Sequence, residues 1–275
     1  MITEPMVPPP LASARWEGLQ NLADLPSIGA GPHSALGPLD VHIWCVDHAV
    51  ETGPEQMAPL LALLSVDEHE RLARMSNERG RRNFVMGRAL CRRALSNYAP
   101  VQSQDWRFRL GDRGKPSIAD PVLSSPLWFN LSHSNRMSIC AVTGAGPEIG
   151  IDIERIAAGK DTLEIATQFF PDSEVNALHR LPPTQRDEAF VRLWALKESF
   201  VKACETSLAE GLSSTMFDLA RLDSIRVTDT KSRHERSDLW RFRLFSLEEG
   251  LILALAVRTP AAGLLKLRIK KGFEI

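Results

Sequence analysis

The chain has 275 residues, 44% of them hydrophobic and 24% charged, enough apolar material for one sizeable domain or two small ones. Its 33 lysines and arginines almost balance 34 acidic residues, a net charge of −1, so nucleic acid is not expected as a partner and any basic site must be local. The longest apolar run, Leu251 to Val257, is far short of the roughly 20 residues that cross a bilayer, and the Met1-Ile2-Thr3-Glu4 start lacks a signal-peptide pattern, so no membrane partner and a cytoplasmic location are expected.

Residues 1–38, with Pro8, Pro9, Pro10, Pro26 and Pro32, read as an extended arm. Order begins with an alternating strand over Leu39 to Val46. A leucine-rich helix over Glu55 to Leu64 follows, then a helix opened by a Ser65/Glu68 capping box, then a longer one from Asn77 to Tyr98. The long helix buries Phe84, Val85, Ala89, Leu90, Ala94 and Leu95 and carries Arg79, Arg81, Arg82, Arg88, Arg92 and Arg93 on its other face. A strand over Trp106 to Leu110 leads into a turn, Gly111 to Pro116, that presents Lys115. Leu127 to His133 and Met137 to Val142 form a hairpin, and the glycines and proline of 143–148 make a joint between a half at 39–146 and a half at 147–275.

The second half opens on a strand, Ile149 to Glu154. Helices are expected over Leu163 to Phe170, from Pro171, and from about Gln185 to Cys204; strands at Leu239–Phe245, Leu251–Val257 and the basic edge strand Leu265–Lys270 close the chain. Each half has strands plus a long helix, an α+β layout. Cys45, Cys91, Cys140 and Cys204 show no CxxC or Cys/His spacing and read as reduced, buried thiols.

Chemistry concentrates in Glu148 to Lys202. In Ile149-Gly150-Ile151-Asp152-Ile153-Glu154 the alternation puts both carboxylates on one face, which reads as the open one. Trp194, Glu198 and Lys202, at i, i+4 and i+8, share a helical stripe. Three carboxylates without histidine or cysteine suit Mg²⁺ or Mn²⁺ rather than zinc, and magnesium's taste for substrate phosphates points to a phosphorylated substrate, with Lys202 as a further cation. The same spacing also fits a surface strand and a Glu198–Lys202 salt bridge worth about 0.3–0.5 kcal/mol. Asn130, Ser132 and His133 together have the donors to grip an anion.

Phe129-Asn130-Leu131-Ser132-His133-Ser134, Ile149 to Glu154, and Trp194-Ala195-Leu196-Lys197-Glu198-Ser199-Phe200-Val201-Lys202, in this order and spacing, resemble the signature of the surfactin-type (Sfp-like) 4′-phosphopantetheinyl transferases. The Gly87-Arg88 helix, the Gly114-Lys115-Pro116 turn and Phe169-Phe170 with Glu174 fit the same pattern, and the resemblance covers about residues 39–257. It implies a holo-[carrier protein] synthase, a monomer of two similar halves related by a pseudo-twofold axis. Each half would be a small antiparallel sheet packed with a long helix, with coenzyme A in the cleft between them. Such an enzyme moves 4′-phosphopantetheine from coenzyme A to a serine of an apo acyl or peptidyl carrier protein of fatty acid, polyketide or nonribosomal peptide biosynthesis, releasing adenosine 3′,5′-bisphosphate.

By the same resemblance Asp152, Glu154 and Glu198 hold Mg²⁺, Glu198 is the base for the serine, Asp152 and Lys202 act at the pyrophosphate, and Lys115, Asn130, Ser132 and His133 contact coenzyme A. Where family members carry a first basic residue for the 3′-phosphate this chain has Glu68; Arg71 keeps the second position, with Arg79 as substitute. A metal-dependent phosphohydrolase or nuclease, or an inactive coenzyme A- or carrier-binding module, remain alternatives; the charge balance speaks against the former and the intact Asp152, Glu154, Glu198 and Lys202 against the latter.

Overall fold

A computed structural model describes residues 36–48, 53–134, 136–156, 161–218, 225–229, 237–247 and 250–272. The proline-rich arm lies outside the described residues as far as residue 35. The elements in chain order are β1 (Asp40–Asp47), α1 (Pro54–Leu61), α2 (Val66–Ala73), α3 (Glu78–Leu95), β2 (Arg107–Leu110), β3 (Pro116–Asp120), β4 (Trp128–His133), β5 (Met137–Thr143), β6 (Ile149–Arg155), α4 (Thr162–Phe169), α5 (Asp172–Arg180), α6 (Pro183–Cys204), α7 (Leu208–Ser214), β7 (Thr215–Asp218), β8 (Arg226–Asp229), β9 (Trp240–Leu247), β10 (Leu251–Arg258) and β11 (Lys266–Lys271).

Two sheets organise the molecule, one in the order β11-β1-β5-β4 and one in the order β6-β10-β9. α3 covers the outer face of the first, where Trp44, Val46, Cys140 and Val142 meet Val85, Ala89, Leu90 and Leu95. α6 covers the outer face of the second, where Ala254, Ala256, Phe242 and Leu244 meet Phe190, Ala195, Leu196 and Phe200. The inner faces pack on each other through Val41, Ile43, Ile139 and Ala141 from one sheet and Ile149, Ile151, Ile153, Leu253 and Leu255 from the other. The layers therefore run helix, sheet, sheet, helix, and the central strands have no exposed side. This is why Leu251 to Val257 reads as a continuous apolar run: every one of its residues is buried.

The α+β class holds, with two corrections of detail. The first sheet is mixed rather than antiparallel, because β11 pairs in parallel with β1, Asp40 opposite Lys266 through Trp44 opposite Lys270. The last strand of the sequence thus forms the edge of the sheet built by the amino-terminal strands. Short elements also appear that periodicity does not mark: β3 pairs with β2 around the Lys115 turn, and α7, β7 and β8 follow α6.

Apart from the exposed Arg79, the arginines of α3 do not form a solvated face. Arg92 is fully buried, its Nη2 2.7 Å from Glu68 Oε2, and Arg88 Nε is 3.3 Å from Glu68 Oε1. Arg81 donates to the Leu72 carbonyl at 2.5 Å and Arg82 to the His48 carbonyl at 2.7 Å. Glu68 itself closes the capping box of α2, accepting from Ser65 N at 3.0 Å. A second buried pair joins α6 to α5: Lys197, with no exposed side-chain surface, lies 2.8 Å from Glu174 Oε2 and donates to the Leu212 carbonyl at 2.9 Å. Glu174 Oε1 accepts from Phe217 N at 2.9 Å. Burial pushes Glu174 up and Lys197 down, and each partner offsets the shift of the other.

Breaking such a pair from one side leaves a buried charge uncompensated. Lys197→Met is expected to lower the free energy of unfolding by about 3–5 kcal/mol in urea denaturation, and adding Glu174→Leu to recover most of it; a loss untouched by the second change would place the cause elsewhere. Two buried histidines give a pH dependence. His42 Nδ1 is 2.7 Å from Tyr98 Oη, and His48 Nε2 is 2.9 Å from Ser138 Oγ. Burial, aided by Lys270 and Arg268 at His42 and by Arg82 and His133 at His48, lowers both from 6.5 to about 4. In this window the unfolded chain binds protons that the folded one refuses, so their contribution is complete above 6.5 and lost as pH falls through about 4. The urea midpoint should drop across that window, with a shallower slope in His48→Gln; an unchanged slope would remove His48 from the account.

Candidate active site

β6 turns Gly150, Asp152 and Glu154 toward α6. The face that alternation marks as open is covered, and Asp152 is only 2% exposed. The cover is close because of Gly150. A Cβ there would stand 1.8 Å from the Ser199 carbonyl oxygen and 2.7 Å from Ala203 N, so only glycine lets the helix backbone lie directly on the strand. The stripe of α6 that carries Glu198 and Lys202 then meets the stripe of β6 that carries Asp152.

The contacts are short and directional. Lys202 Nζ is 2.5 Å from Asp152 Oδ1, 3.1 Å from Ser132 Oγ and 3.6 Å from Glu198 Oε2. Ser132 Oγ donates to Asp152 Oδ1 at 2.9 Å. From the same strand Asn130 Oδ1 accepts Ile151 N–H at 2.9 Å. Asp152 Oδ2 is buried with no hydrogen-bond partner.

The charges act on one another as this geometry requires. Burial raises the pKa of Glu198 and the Asp152 carboxylate adds to it, while Lys202 and the Trp194 indole favour the ionised form. For Lys202, burial opposes the charge but Asp152, Glu198 and Glu154 outweigh it, and the net shift is upward. Asp152, Glu198 and Lys202 therefore come together as the helical and strand periodicities require. The metal trio is not gathered in the same way: among the described residues no three His, Cys, Asp or Glu side chains form a preformed metal cluster. The physical reason is mutual repulsion of the carboxylates, relieved by the Lys202 ammonium placed between Asp152 and Glu198. The chemistry of the set still fits a hard divalent cation, since Asp152 Oδ2 is buried without a hydrogen-bond partner and one ammonium, that of Lys202, is shared between two carboxylates.

The other expected residues are placed less uniformly. His133 follows Phe129 and Leu131 on the pleat of β4 that faces α3, opposite Asn130 and Ser132, so the three do not form one anion grip. Its ring is exposed at the end of the strand, although partial burial and then the Lys202 charge lower its pKa. Lys115 is turned to the carboxyl-terminal end of α6, donating to the carbonyls of Pro147 at 2.9 Å and Ala203 at 3.4 Å, with Glu205 3.8 Å away. There it complements the negative end of the helix dipole. Arg71, exposed, lies 5.3 Å from the Phe84 ring centroid, and Arg79 is exposed in the first turn of α3; neither makes an ion pair with the carboxylates. Sequence reasoning missed Ser138, which stands opposite His133 in the hairpin, and His48 behind it. The hairpin register offered a signal for Ser138, while His48 had none.

β6 bears two carboxylates, and α6 bears a third with a lysine one turn on, a donor set whose chemistry suits a divalent cation and a phosphate ester. Residues 148–256 match the model of the 4′-phosphopantetheinyl transferase superfamily, and residues 51–145 match that of the 4′-phosphopantetheinyl transferase amino-terminal region. The chain is 35% identical over 179 residues to the 4′-phosphopantetheinyl transferase HetI of a Nostoc species, covering 65% of this chain and 74% of that protein. It is 32% identical over 148 residues to the 4′-phosphopantetheinyl transferase Sfp of Bacillus subtilis, 54% of this chain and 63% of that one. A mouse L-aminoadipate-semialdehyde dehydrogenase-phosphopantetheinyl transferase is 28% identical over 229 residues, 75% of this chain and 72% of its own. The chain belongs to the 4′-phosphopantetheinyl transferase superfamily and is an enzyme of the Sfp-like type.

Gly150→Ala tests the helix-on-strand contact. Overpacking at this position is expected to lower stability by about 1–3 kcal/mol or more and to reduce transfer activity with it, read by thermal melting and by turnover; a variant with wild-type stability would show that α6 is not pinned at Gly150.

Proposed function

We propose that the chain transfers the 4′-phosphopantetheine group of coenzyme A to a serine hydroxyl of an apo acyl or peptidyl carrier protein and releases adenosine 3′,5′-bisphosphate. The observation that carries this reading is the cluster of Asp152, Glu198, Lys202 and Ser132, built by packing α6 onto Gly150. Coenzyme A would occupy the cleft between the 39–146 and 147–275 halves, with Arg71, Arg79 and His133 toward its nucleotide. Both walls come from one chain, so a monomer suffices. The buried, free thiols of Cys45, Cys91 and Cys140 agree with a reducing compartment, the cytoplasm.

In the transfer, the serine oxygen forms a bond to the phosphorus bearing pantetheine. The pyrophosphate oxygen bridge to that phosphorus breaks, and the serine proton passes to a carboxylate. Glu198 suits that last role because its side chain is 19% exposed while Asp152 is 3% exposed, so an incoming hydroxyl reaches Glu198 and not Asp152. Lys202, 28% exposed at its side chain, reaches the same space and supplies a positive charge for the leaving phosphate. Asp152, Glu154 and Glu198 would hold the divalent ion, Mg²⁺ or Mn²⁺. When bound, the ion neutralises charge that develops on the pyrophosphate oxygens. The protein forms no covalent intermediate.

The test combines the protein with coenzyme A, Mg²⁺ and several apo carrier proteins and weighs the carriers. Gain of one phosphopantetheine group is expected; nucleotide release with no carrier modified would mark a phosphohydrolase and sink the proposal. Glu198→Gln should reduce turnover by about 10²-fold or more with an unchanged circular dichroism spectrum; near-normal turnover would remove Glu198 as the base.

A further inference from the structure

Glu205, the residue that follows α6, is the one non-glycine with a positive φ among the described residues, at φ +53° and ψ +38°. Its N–H and that of Thr206 both turn back to the Val201 carbonyl, a helix end that glycine usually closes because it has no Cβ to clash. Charge opposes glutamate here as well, since a carboxylate at the carboxyl-terminal end of a helix meets the negative end of its dipole. Two local rules therefore argue against this residue, and what holds it lies in the other half of the chain. Glu205 Oε1 is 3.8 Å from Lys115 Nζ, and Oε2 occupies the space beside Gly111, where a Cβ would stand 2.6 Å from it. Gly111 and Lys115 bracket the β2–β3 turn, joined by the Gly111 N–H to the Lys115 carbonyl at 2.9 Å.

We propose that Glu205 is a positioning residue: it docks the β2–β3 turn of the first half on the end of α6 in the second, and so fixes Lys115 at the edge of the coenzyme A cleft. The inference rests on the reading that coenzyme A lies in that cleft and is reached from the turn. The Lys115 side chain is only 10% exposed and donates to the Pro147 and Ala203 carbonyls, neutral groups that orient an ammonium without balancing its charge. Burial lowers the Lys115 pKa, and Glu205 is the foremost charge opposing that shift. The Glu205 side chain is itself 44% exposed, so its hold on the turn can be removed without emptying the core. Whatever Lys115 presents to the ligand is then presented from a position that Glu205 sets. A left-handed, non-glycine backbone persists where the surroundings over-determine it, and here they do so through what the side chain reaches.

The experiment titrates coenzyme A, with Mg²⁺ present, into wild type, Glu205→Gly, Glu205→Gln, Lys115→Gln and the Glu205→Gln/Lys115→Gln double variant by calorimetry, and melts each protein without ligand. Glycine adopts a positive φ freely, so Glu205→Gly is expected to melt no lower than wild type yet to bind coenzyme A about fivefold more weakly, a combination that a merely structural role would not give. Glu205→Gln, which keeps the stem and loses the charge, should weaken binding to a similar degree, and in the Lys115→Gln background it should cost nothing further. Wild-type affinity in both single variants at position 205 would overturn the assignment, as would a loss of undiminished size when Lys115 is already replaced. A glycine variant that melts well below wild type would make the residue a structural one and overturn it as well. Wild type that binds no coenzyme A would overturn the placement of coenzyme A and this inference with it.

Discussion

The contact of the α6 backbone with Gly150 governs the rest of the site. Residues 199 and 203 of the helix lie where any side chain at position 150 would have to be. Because strand and helix touch at backbone distance, the next residues of the strand face and the next turn of the helix have no room to diverge. Asp152 is buried as a result, and Glu198 and Lys202 are brought within reach of it. A carboxylate so deeply buried needs compensation, and the molecule supplies it with an ammonium and a hydroxyl. The charged cluster is therefore a consequence of close packing and its most expensive feature at once.

The same logic of side chains standing in for main chain joins the two sheets. Their inner faces are held by aliphatic packing, which is non-directional and would allow the sheets to slide. Asn130 and Ser132 give the junction a register, since each bonds a specific atom of β6. At the far end of β6, Arg258 N bonds the Glu148 carbonyl, and Arg258 Nη1 pairs with Glu148 Oε1 at 2.9 Å. Lys115 adds a third tie, from the β2–β3 turn to the end of α6. Directional bonds thus flank the carboxylates on both sides.

Periodicity displayed much of this. Ile149 to Glu154 reads as a strand and the Trp194, Glu198, Lys202 stripe as a helix, and both read correctly because each pattern reflects a single local geometry. What alternation does not display is the identity of the covering layer. Asp152 and Glu154 look like an open face because carboxylates usually are, and only Gly150 among them hints at a close neighbour. Pairing of β11 with β1 is invisible for a different reason: it joins residues more than two hundred positions apart, and neither strand's pattern names its partner. β7 and β8, at four residues each, are too short to establish a period. The Asn130-Leu131-Ser132-His133 segment shows the limit most sharply, since its residues are read as one polar group although the pleat sends His133 to the face opposite Asn130 and Ser132.

Arg88 and Arg92 of α3 are arranged around Glu68. A basic residue there would face Arg88 and Arg92 across the α2–α3 contact, three cations with no counter-charge. With glutamate, both guanidiniums fold inward, Arg92 to full burial, and stack near Phe108 and Phe84 at 4.7 and 5.3 Å from the ring centroids. Glu68 is thus a structural joint between α2 and α3 that also caps α2. Arg71, held over the same Phe84 ring yet exposed, stays outside this joint.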